Sequence, residues 1–325
     1  MEYCAVIRTL GTAGEKYQTL LDSLDKQTIR PHQILVYIPH GYPLPKETVG
    51  WEKYIRTEKG MVKQRSLPFD EVDTEFILFC DDDLKLEPTA VERLFQGLEE
   101  KKGDCISPNV FPNEKLSFLG RVKKALAAYN FPRPDDGWAF KLLRNSGYTY
   151  NSNPKNVVLP SQSAAGPCCL IKKEAYLAMH FEEERWIEDF GFPLGDDLLF
   201  YYKLHIMGKK VLVHNQAGIE HLDARVGSEA FYSDRFTNDV ALQVVLPYRI
   251  CYQIAGGWGR FLCLLSCILR MTEQLLFTTV RYLVKEHRFV LPDFIRGIRK
   301  GLRYVHSERY RSVPRFDAYV DPAKD

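Results

Sequence analysis

The chain has 325 residues, 44 Lys and Arg against 42 Asp and Glu, and 45% hydrophobic residues. That length allows one large core, or one core plus an appendage, and the near-neutral balance provides no global attraction for nucleic acid, which is not expected as a partner. The eight cysteines sit mostly in apolar runs without a C-x-x-C pair, which excludes a zinc knuckle or a disulfide framework and predicts reduced core thiols.

The N-terminus has no basic segment followed by a long apolar run, so the expected location is cytoplasmic. Residues 3–7 read as a buried strand, followed by a loop of small and polar residues at 8–14. Leu20, Leu21 and Leu24 recur at helical spacing before Gln27, Thr28 and Pro31 stop the helix. A second strand at 34–38 completes a β-α-β unit, whose right-handed crossover makes the two strands parallel neighbours. Ile55 marks a short strand, and residues 60–66 lead a helix back toward the segment around which the chain is organised.

That segment is Phe76-Ile-Leu-Phe-Cys80, running into Asp81, Asp82 and Asp83. An apolar run without alternation reads as a strand buried on both faces, as in a mostly parallel sheet covered by helices. It delivers three carboxylates at its C-terminal end, where open α/β sheets place their ligand crevice. Three adjacent acids repel one another, and a divalent cation among them removes that cost. In extended backbone Asp81 and Asp83 share a face while Asp82 points away. The bland alternative is a solvated acidic turn.

After the acids, Pro88 suits the first turn of a helix through Val91, Leu94, Phe95 and Leu98. Residues 105–110 read as a strand, and 111–159 as an irregular stretch suited to a lid or binding wall. Residues 166–171 are strand-like and 173–179 helical. Asp196 and Asp197 open a helix carrying Leu198, Leu199, Tyr202 and Ile206 on one side, where N-capping also explains an acid. A last strand lies at 211–213. Composition shifts after about residue 238. The apolar run 261–269 is nine residues long, short of the roughly twenty a membrane crossing needs. Ile295, Ile298, Leu302 and Val305 then fall at helical spacing beside Arg296, Arg299, Lys300 and Arg303. Such a helix either lies in an anionic membrane surface or packs on the core with a solvated basic face. The two helices together predict membrane association.

The order Val6-Ile-Arg-Thr9, Ser23-Leu-Asp-Lys-Gln-Thr28, Ile34-Leu-Val36, Gln64-Arg65, Cys80-Asp-Asp-Asp83 and Gly195-Asp-Asp197 resembles a family 2 glycosyltransferase of the GT-A fold over about residues 1–225. The stretch Leu194-Gly-Asp-Asp-Leu-Leu-Phe-Tyr-Tyr-Lys203, with Gly218-Ile-Glu-His-Leu-Asp223, is similar to bacterial surface-polysaccharide transferases, which end in membrane-associating helices. The fold class expected is therefore α/β: a Rossmann-like GT-A, mostly parallel mixed sheet flanked by helices over residues 1–238, with a helical, basic, membrane-associating extension over 239–325.

The resemblance implies a nucleotide-sugar donor, Mn²⁺ or Mg²⁺ as cofactor, and inversion at the anomeric carbon. Asp81 and Asp83 match the family's D-x-D pair, with His221 as a further metal ligand. Arg8, Thr9, Arg65, Asp81 and Asp82 fall on the donor-nucleotide side. Asp196 stands where the family usually carries Glu-Asp and supplies the catalytic base, with Asp189 as the rival for that role. The implied acceptor is a glycan or lipid-linked saccharide, met by a peripheral enzyme on the inner face of the cell membrane.

Independently of the family, displacement at an anomeric carbon needs positive charge against the departing diphosphate and a carboxylate to take the acceptor proton. Arg65 as an ordinary surface residue and His221 as a satisfied core histidine are the competing explanations for those two side chains. Among other classes, a P-loop ATPase is excluded because no G-x-x-x-x-G-K-[ST] occurs. A haloacid-type phosphatase would end its first strand in an acidic pair, where this chain has Arg8. A sugar-nucleotide nucleotidyltransferase, or a non-catalytic membrane-surface scaffold keeping the fold, are the alternatives.

Overall fold

A computed structural model describes residues 1–110, 130–133, 135–151, 155–191, 195–222, 233–284 and 291–322. Its frame is an eight-stranded sheet in the order β10-β12-β6-β11-β4-β1-β2-β3. The strands are β1 (Tyr3–Arg8), β2 (Gln33–Pro39), β3 (Lys53–Thr57), β4 (Phe76–Asp81), β6 (Cys105–Pro108), β10 (Val158–Pro160), β11 (Cys168–Lys172) and β12 (Val211–His214). β1 is parallel to β2 and β4, β2 to β3, and β6 to β12, while β11 runs antiparallel between β4 and β6, and β10 antiparallel to β12. The fold is thus a mixed, mostly parallel Rossmann-like sheet of GT-A type flanked by helices, with a long apolar helix near the C-terminus.

Both faces of the sheet are buried, which is why its central strands read as unbroken apolar runs. Tyr3, Ala5 and Ile7 of β1, with Leu78 and Cys80 of β4, face one core, covered by α1 (Glu15–Asp25) through Leu20, Leu21 and Leu24 and by α3 (Ala90–Lys101) through Val91, Leu94 and Phe95. Cys4, Val6, Ile77 and Phe79 face the other, which also holds Val62 of α2 (Met61–Arg65) and Tyr176 of α4 (Lys173–Ala178). Trp186 of a 3₁₀ segment (Phe181–Phe190), Leu199 and Phe200 of α5 (Asp196–Ile206), and Ala241 and Val245 of α6 (Ser233–Pro247) complete that core. All eight cysteines are free.

Two segments differ from expectation, and the basic helix takes one of its two expected settings. The described part of residues 111–159 is not irregular: β7 (Asn130–Arg133), β8 (Phe140–Leu142) and β9 (Tyr148–Asn151) form a small sheet in the order β7-β9-β8, and β10 adds an edge to the main one. Strands of three or four residues, interrupted by Asn, Pro and Gly, are too short to display a period of two. Residues 111–129 lie outside the described residues, as do Leu194 and Asp223 of the quoted motifs.

The apolar run at 261–269 is the middle of a much longer helix, α7 (Gly257–Val284), of which Gly257–Val280 has a mean hydropathy of 1.4. Arg270 interrupts the run in sequence, but its side chain turns inward and donates to the Asn145 carbonyl at 2.6 Å.

The basic helix, α8 (Leu291–Val305), packs against α6. Its contact face is Phe294, Gly297, Gly301 and Val305, all buried. A Cβ at Gly301 would come within 2.7 Å of the Ala241 carbonyl, and at Gly297 within 2.7 Å of the Thr237 carbonyl, so the glycines set the close helix approach. Of the apolar positions noted in sequence, Val305 enters the core, whereas Ile295 and Leu302 stay exposed beside Arg296, Arg299 and Arg303.

Candidate active site

From β1 the chain runs outward through β2 and β3 and then returns to place β4 on the other side of β1, and the C-terminal ends of β1 and β4 meet at that reversal. This is the crevice in which open α/β sheets hold their ligands. The register pairs Arg8 with Asp81, and Arg8 Nη2 donates to Asp81 Oδ1 at 2.5 Å. Arg8 Nε is buried and has no partner. Burial lowers the Arg8 pKa, as does the neighbouring Arg65, with Asp81 opposing.

β4 ends at Asp81, and Asp82 and Asp83 form a turn into β5 (Leu84–Leu86). Extended alternation therefore stops at Asp81 rather than running through Asp83 as the sequence pattern implies, and the three acids diverge to three partners. Asp81 meets Arg8, Asp82 accepts from the Thr9 hydroxyl, and Asp83 Oδ2 lies 3.0 Å from His221 Nε2. His221 is brought there by β13 (Ile219–His221), which pairs antiparallel with β5 and sets His221 opposite Leu84; Leu222 N also donates to Asp83 O at 2.9 Å. Asp81 and Asp82 are both raised, primarily by burial, with the other acids of the triplet adding to the rise.

Arg65 lies at the end of α2, buried rather than on a helix surface. It forms an ion pair with Asp196 and donates from Nη2 to the Gly166 carbonyl at 3.1 Å. Burial alone would lower the Arg65 pKa, but Asp196, Asp81 and Asp197 more than offset it and raise it. α2 itself is held at its start by Glu188, whose Oε1 accepts from Val62 N at 2.7 Å and Lys63 N at 2.9 Å. The neighbouring Asp189 accepts from the Tyr304 hydroxyl and from Arg309 Nε at 3.2 Å, which ties it to α8 and the segment that follows.

Asp196 and Asp197 have unlike surroundings despite their adjacency. Gly195, at φ 97°, turns the chain into α5; a Cβ there would meet Leu246 Cδ1 at 2.7 Å. Asp196 is directed to Arg65, whereas Asp197 lines a cavity of about 300 Å³. Phe140 and Tyr148 of the small sheet form part of its wall, with Ser163, Leu198 and Leu246. The Asp197 carboxyl is pushed up to about 6 by burial and by the adjacent Asp196, with Arg65 opposing.

Around this crevice five carboxylates, at positions 81, 82, 83, 196 and 197, face the guanidinium groups of Arg8 and Arg65, so the site has an excess of negative charge. Among the described residues no group of three or more His, Cys, Asp or Glu is gathered to hold a metal ion. The Asp83–His221 pair still suits one. Two neighbouring ligands of an octahedral ion at about 2.1 Å stand roughly 3 Å apart, and Mg²⁺-type sites take one or two protein ligands and complete the shell with phosphate and water.

The sequence pattern did not single out Asp197 as the acid facing the cavity, nor Asp239 and Gln243 of α6, which also line it. No spacing rule marks them, because residues from separate elements come together only at this cavity.

No protein-family model matches this chain, and no curated protein does. Solved structures are similar at low identity. The crystal structure of GalNAc-T7 with UDP, GalNAc and Mn²⁺ aligns with 75% of this chain and 48% of its own, at 14% identity and a TM-score of 0.44. This chain thus spans about half the length of that protein. The crystal structure of S. aureus TarS 1-349 aligns over 96% of this chain and 90% of its own, at 13% identity and a TM-score of 0.49. The same TarS fragment in complex with UDP-GlcNAc aligns over 98% and 84%, also at 13% identity and 0.49.

Proposed function

We propose that this chain is an inverting, metal-dependent glycosyltransferase that moves a sugar from a nucleotide diphosphate to a hydroxyl of a glycan or lipid-linked saccharide. The observation that carries the proposal is the divergence of Asp81, Asp82 and Asp83 to Arg8, Thr9 and His221 at the sheet's reversal point. A nucleotide diphosphate has matching parts: hydroxyls for the Asp82–Thr9 side, and phosphates for Arg8 Nε and the Asp83–His221 pair.

Asp83 and His221, with Asp81 beside them, would hold Mn²⁺ or Mg²⁺. The cation supplies charge against the diphosphate as it leaves. Arg8 and Arg65 add fixed positive charge on the same side, in a buried site where it is worth more than in water.

For the base, we assign Asp197 ahead of Asp196 and Asp189. Asp196 is held by Arg65 and serves to position it, and Asp189 is engaged by Tyr304 and Arg309. Asp197 borders an open volume and is poised near neutrality, as a general base requires. In the step itself the acceptor oxygen bonds to the anomeric carbon, the carbon–oxygen bond to the diphosphate breaks with its electron pair leaving on phosphate, and the acceptor proton passes to Asp197.

The C-terminal helices form the membrane-facing part of the enzyme in this proposal. α7 presents Phe261, Ile268, Leu269, Leu276, Phe277 and Leu283 outward, the last 73% exposed. Because Arg270 at its midpoint is buried against Asn145 and Ser146, α7 lies in the plane of the interface rather than crossing the bilayer. Arg296, Arg299 and Arg303 on α8 suit an anionic, inner-face leaflet.

Calorimetric titration with UDP, dTDP and GDP, each with and without Mn²⁺, tests the catalytic proposal. One nucleotide should bind only with the metal, and Asp83→Ala should weaken it by roughly tenfold or more. Absence of binding by all three would overturn the assignment in favour of a scaffold.

A further inference from the structure

The cavity beneath Asp197 has a second feature that catalysis does not use. α6 contributes Asp239 and Gln243, four residues apart and hence on one helix face. Asp239 Oδ1 and Gln243 Oε1 are buried and accept no hydrogen bond. Leaving such an acceptor unsatisfied costs about 1–3 kcal/mol. Two on one face of one helix, at one cavity, call for something that brings donors.

The surroundings narrow its chemistry. Arg270 lines the cavity beside Asp197 and Asp239, Arg65 lies behind Asp197, and Arg235 acts on Asp239, so each acid already has a cationic neighbour of its own and the unsatisfied acceptors suit a neutral ligand that brings hydroxyl donors. Phe140, Tyr148 and Leu242 offer apolar walls to the C–H face of a ring, while the acceptors meet its edge. At about 300 Å³ the cavity is at the lower end for small-molecule sites, which suits a single sugar unit.

Resting on the glycosyltransferase reading above, we propose that Asp239 and Gln243 accept hydrogen bonds from hydroxyls of the acceptor's terminal sugar. The sugar so held presents a further hydroxyl to Asp197. α6 is then a specificity element as well as a core helix, and the acceptor is a neutral saccharide rather than an amine.

Saturation-transfer NMR and calorimetry with a panel of methyl glycosides (hexose, N-acetylhexosamine and pentose), and with methylammonium as the cationic probe, test this. At least one glycoside should bind without added metal, with saturation strongest on its ring protons. Gln243→Met and Asp239→Leu should each weaken that binding at least about tenfold, the order expected when a buried hydrogen bond worth about 1.4 kcal/mol is lost. Thermal melts identify a variant that has failed to fold, in which case the other decides.

Binding of every glycoside unchanged in a folded variant, binding of methylammonium instead, or no glycoside binding at all would each overturn the proposal. Titration of the wild type with nucleotide and Mn²⁺ separates the two levels. Nucleotide binding without glycoside binding removes the sugar subsite and leaves the transferase; glycoside binding without nucleotide binding keeps the saccharide site and removes the donor assignment.

Discussion

Adjacent aspartates with different neighbours behave as different reagents. Asp196 forms an ion pair with Arg65, while Asp197, one position on, meets the cavity with a carboxyl pushed up to about 6. As a base Asp197 must be ionised, so turnover should rise with pH through about 6 and level off above it. Asp197→Asn should remove that limb and lower kcat by about 10²–10⁴-fold, with Mn²⁺-dependent nucleotide binding retained. Asp196→Asn should instead leave Arg65 buried without its carboxylate partner and lower Tm, with the acidic limb of the residual activity kept but moved to lower pH, because the neighbouring charge that raises Asp197 is gone. A pH–rate profile on the two variants separates the roles, and a limb that persists in Asp197→Asn would return the base to Asp196 or Asp189.

At the scale of elements, the contrast between α7 and α8 is set by which face each helix buries. α8 gives Phe294, Gly297, Gly301 and Val305 to α6, and the absence of Cβ atoms at the two glycines lets the helices approach closely. α7 buries Cys263 and Arg270 and leaves its apolar stripe outward: Phe261 is 50% exposed, Ile268 62% and Phe277 71%. Fully burying such side chains is worth about 1.5–3 kcal/mol each. Vesicles containing anionic lipid should therefore cosediment with the protein. Phe261→Glu, Ile268→Glu and Phe277→Glu combined should abolish cosedimentation with Tm unchanged, since none of the three contributes to the core. Retained binding in the folded triple variant would exclude α7 as the docking helix.

Across the whole molecule, a buried charge cluster joins the sheet domain to the C-terminal tail. Glu184 accepts from Arg249 Nη2 at 2.6 Å, Lys203 Nζ at 3.3 Å and Trp186 Nε1 at 2.7 Å, with all three charged side chains inaccessible. Arg249 also donates to the Pro314 carbonyl at 2.5 Å, and Tyr319 reaches Glu183. Burial alone would raise the Glu184 pKa, but Arg249 and Lys203 more than offset it and hold the carboxyl low. The sign follows: this contribution to stability is complete above the ordinary glutamate value of about 4.3 and is lost as pH falls through the lower folded value. Arg249→Met leaves Glu184 with Lys203 and the neutral Trp186 donor, and the cost of breaking a buried pair is about 3–5 kcal/mol. Thermal unfolding should show a Tm several degrees lower for that variant at pH 7, with the difference shrinking in acid. An unchanged Tm would mean that Lys203 suffices.

The sequence by itself determined the layers of the fold, because strands buried on both faces and helices with a 3.6-residue stripe leave local signatures: residues 3–7, 34–38 and 76–80 each lie within an observed strand, and Leu20, Leu21 and Leu24 face the core. It also located the acids of the crevice, since a carboxylate triplet at the end of an apolar strand is unusual enough to be seen without contacts. What only the tertiary structure decided was direction. Strand β4 ends at Asp81, so the acids turn to three partners contributed from β1, its following loop and β13. The short strands at 130–151, the extent of α7 and the inward turn of Arg270 depend on neighbours distant in the chain. So does the grouping of Asp197, Asp239 and Gln243 at one cavity, because a side chain's partners across an interface are set by how elements pack, and that information is not carried by local periodicity.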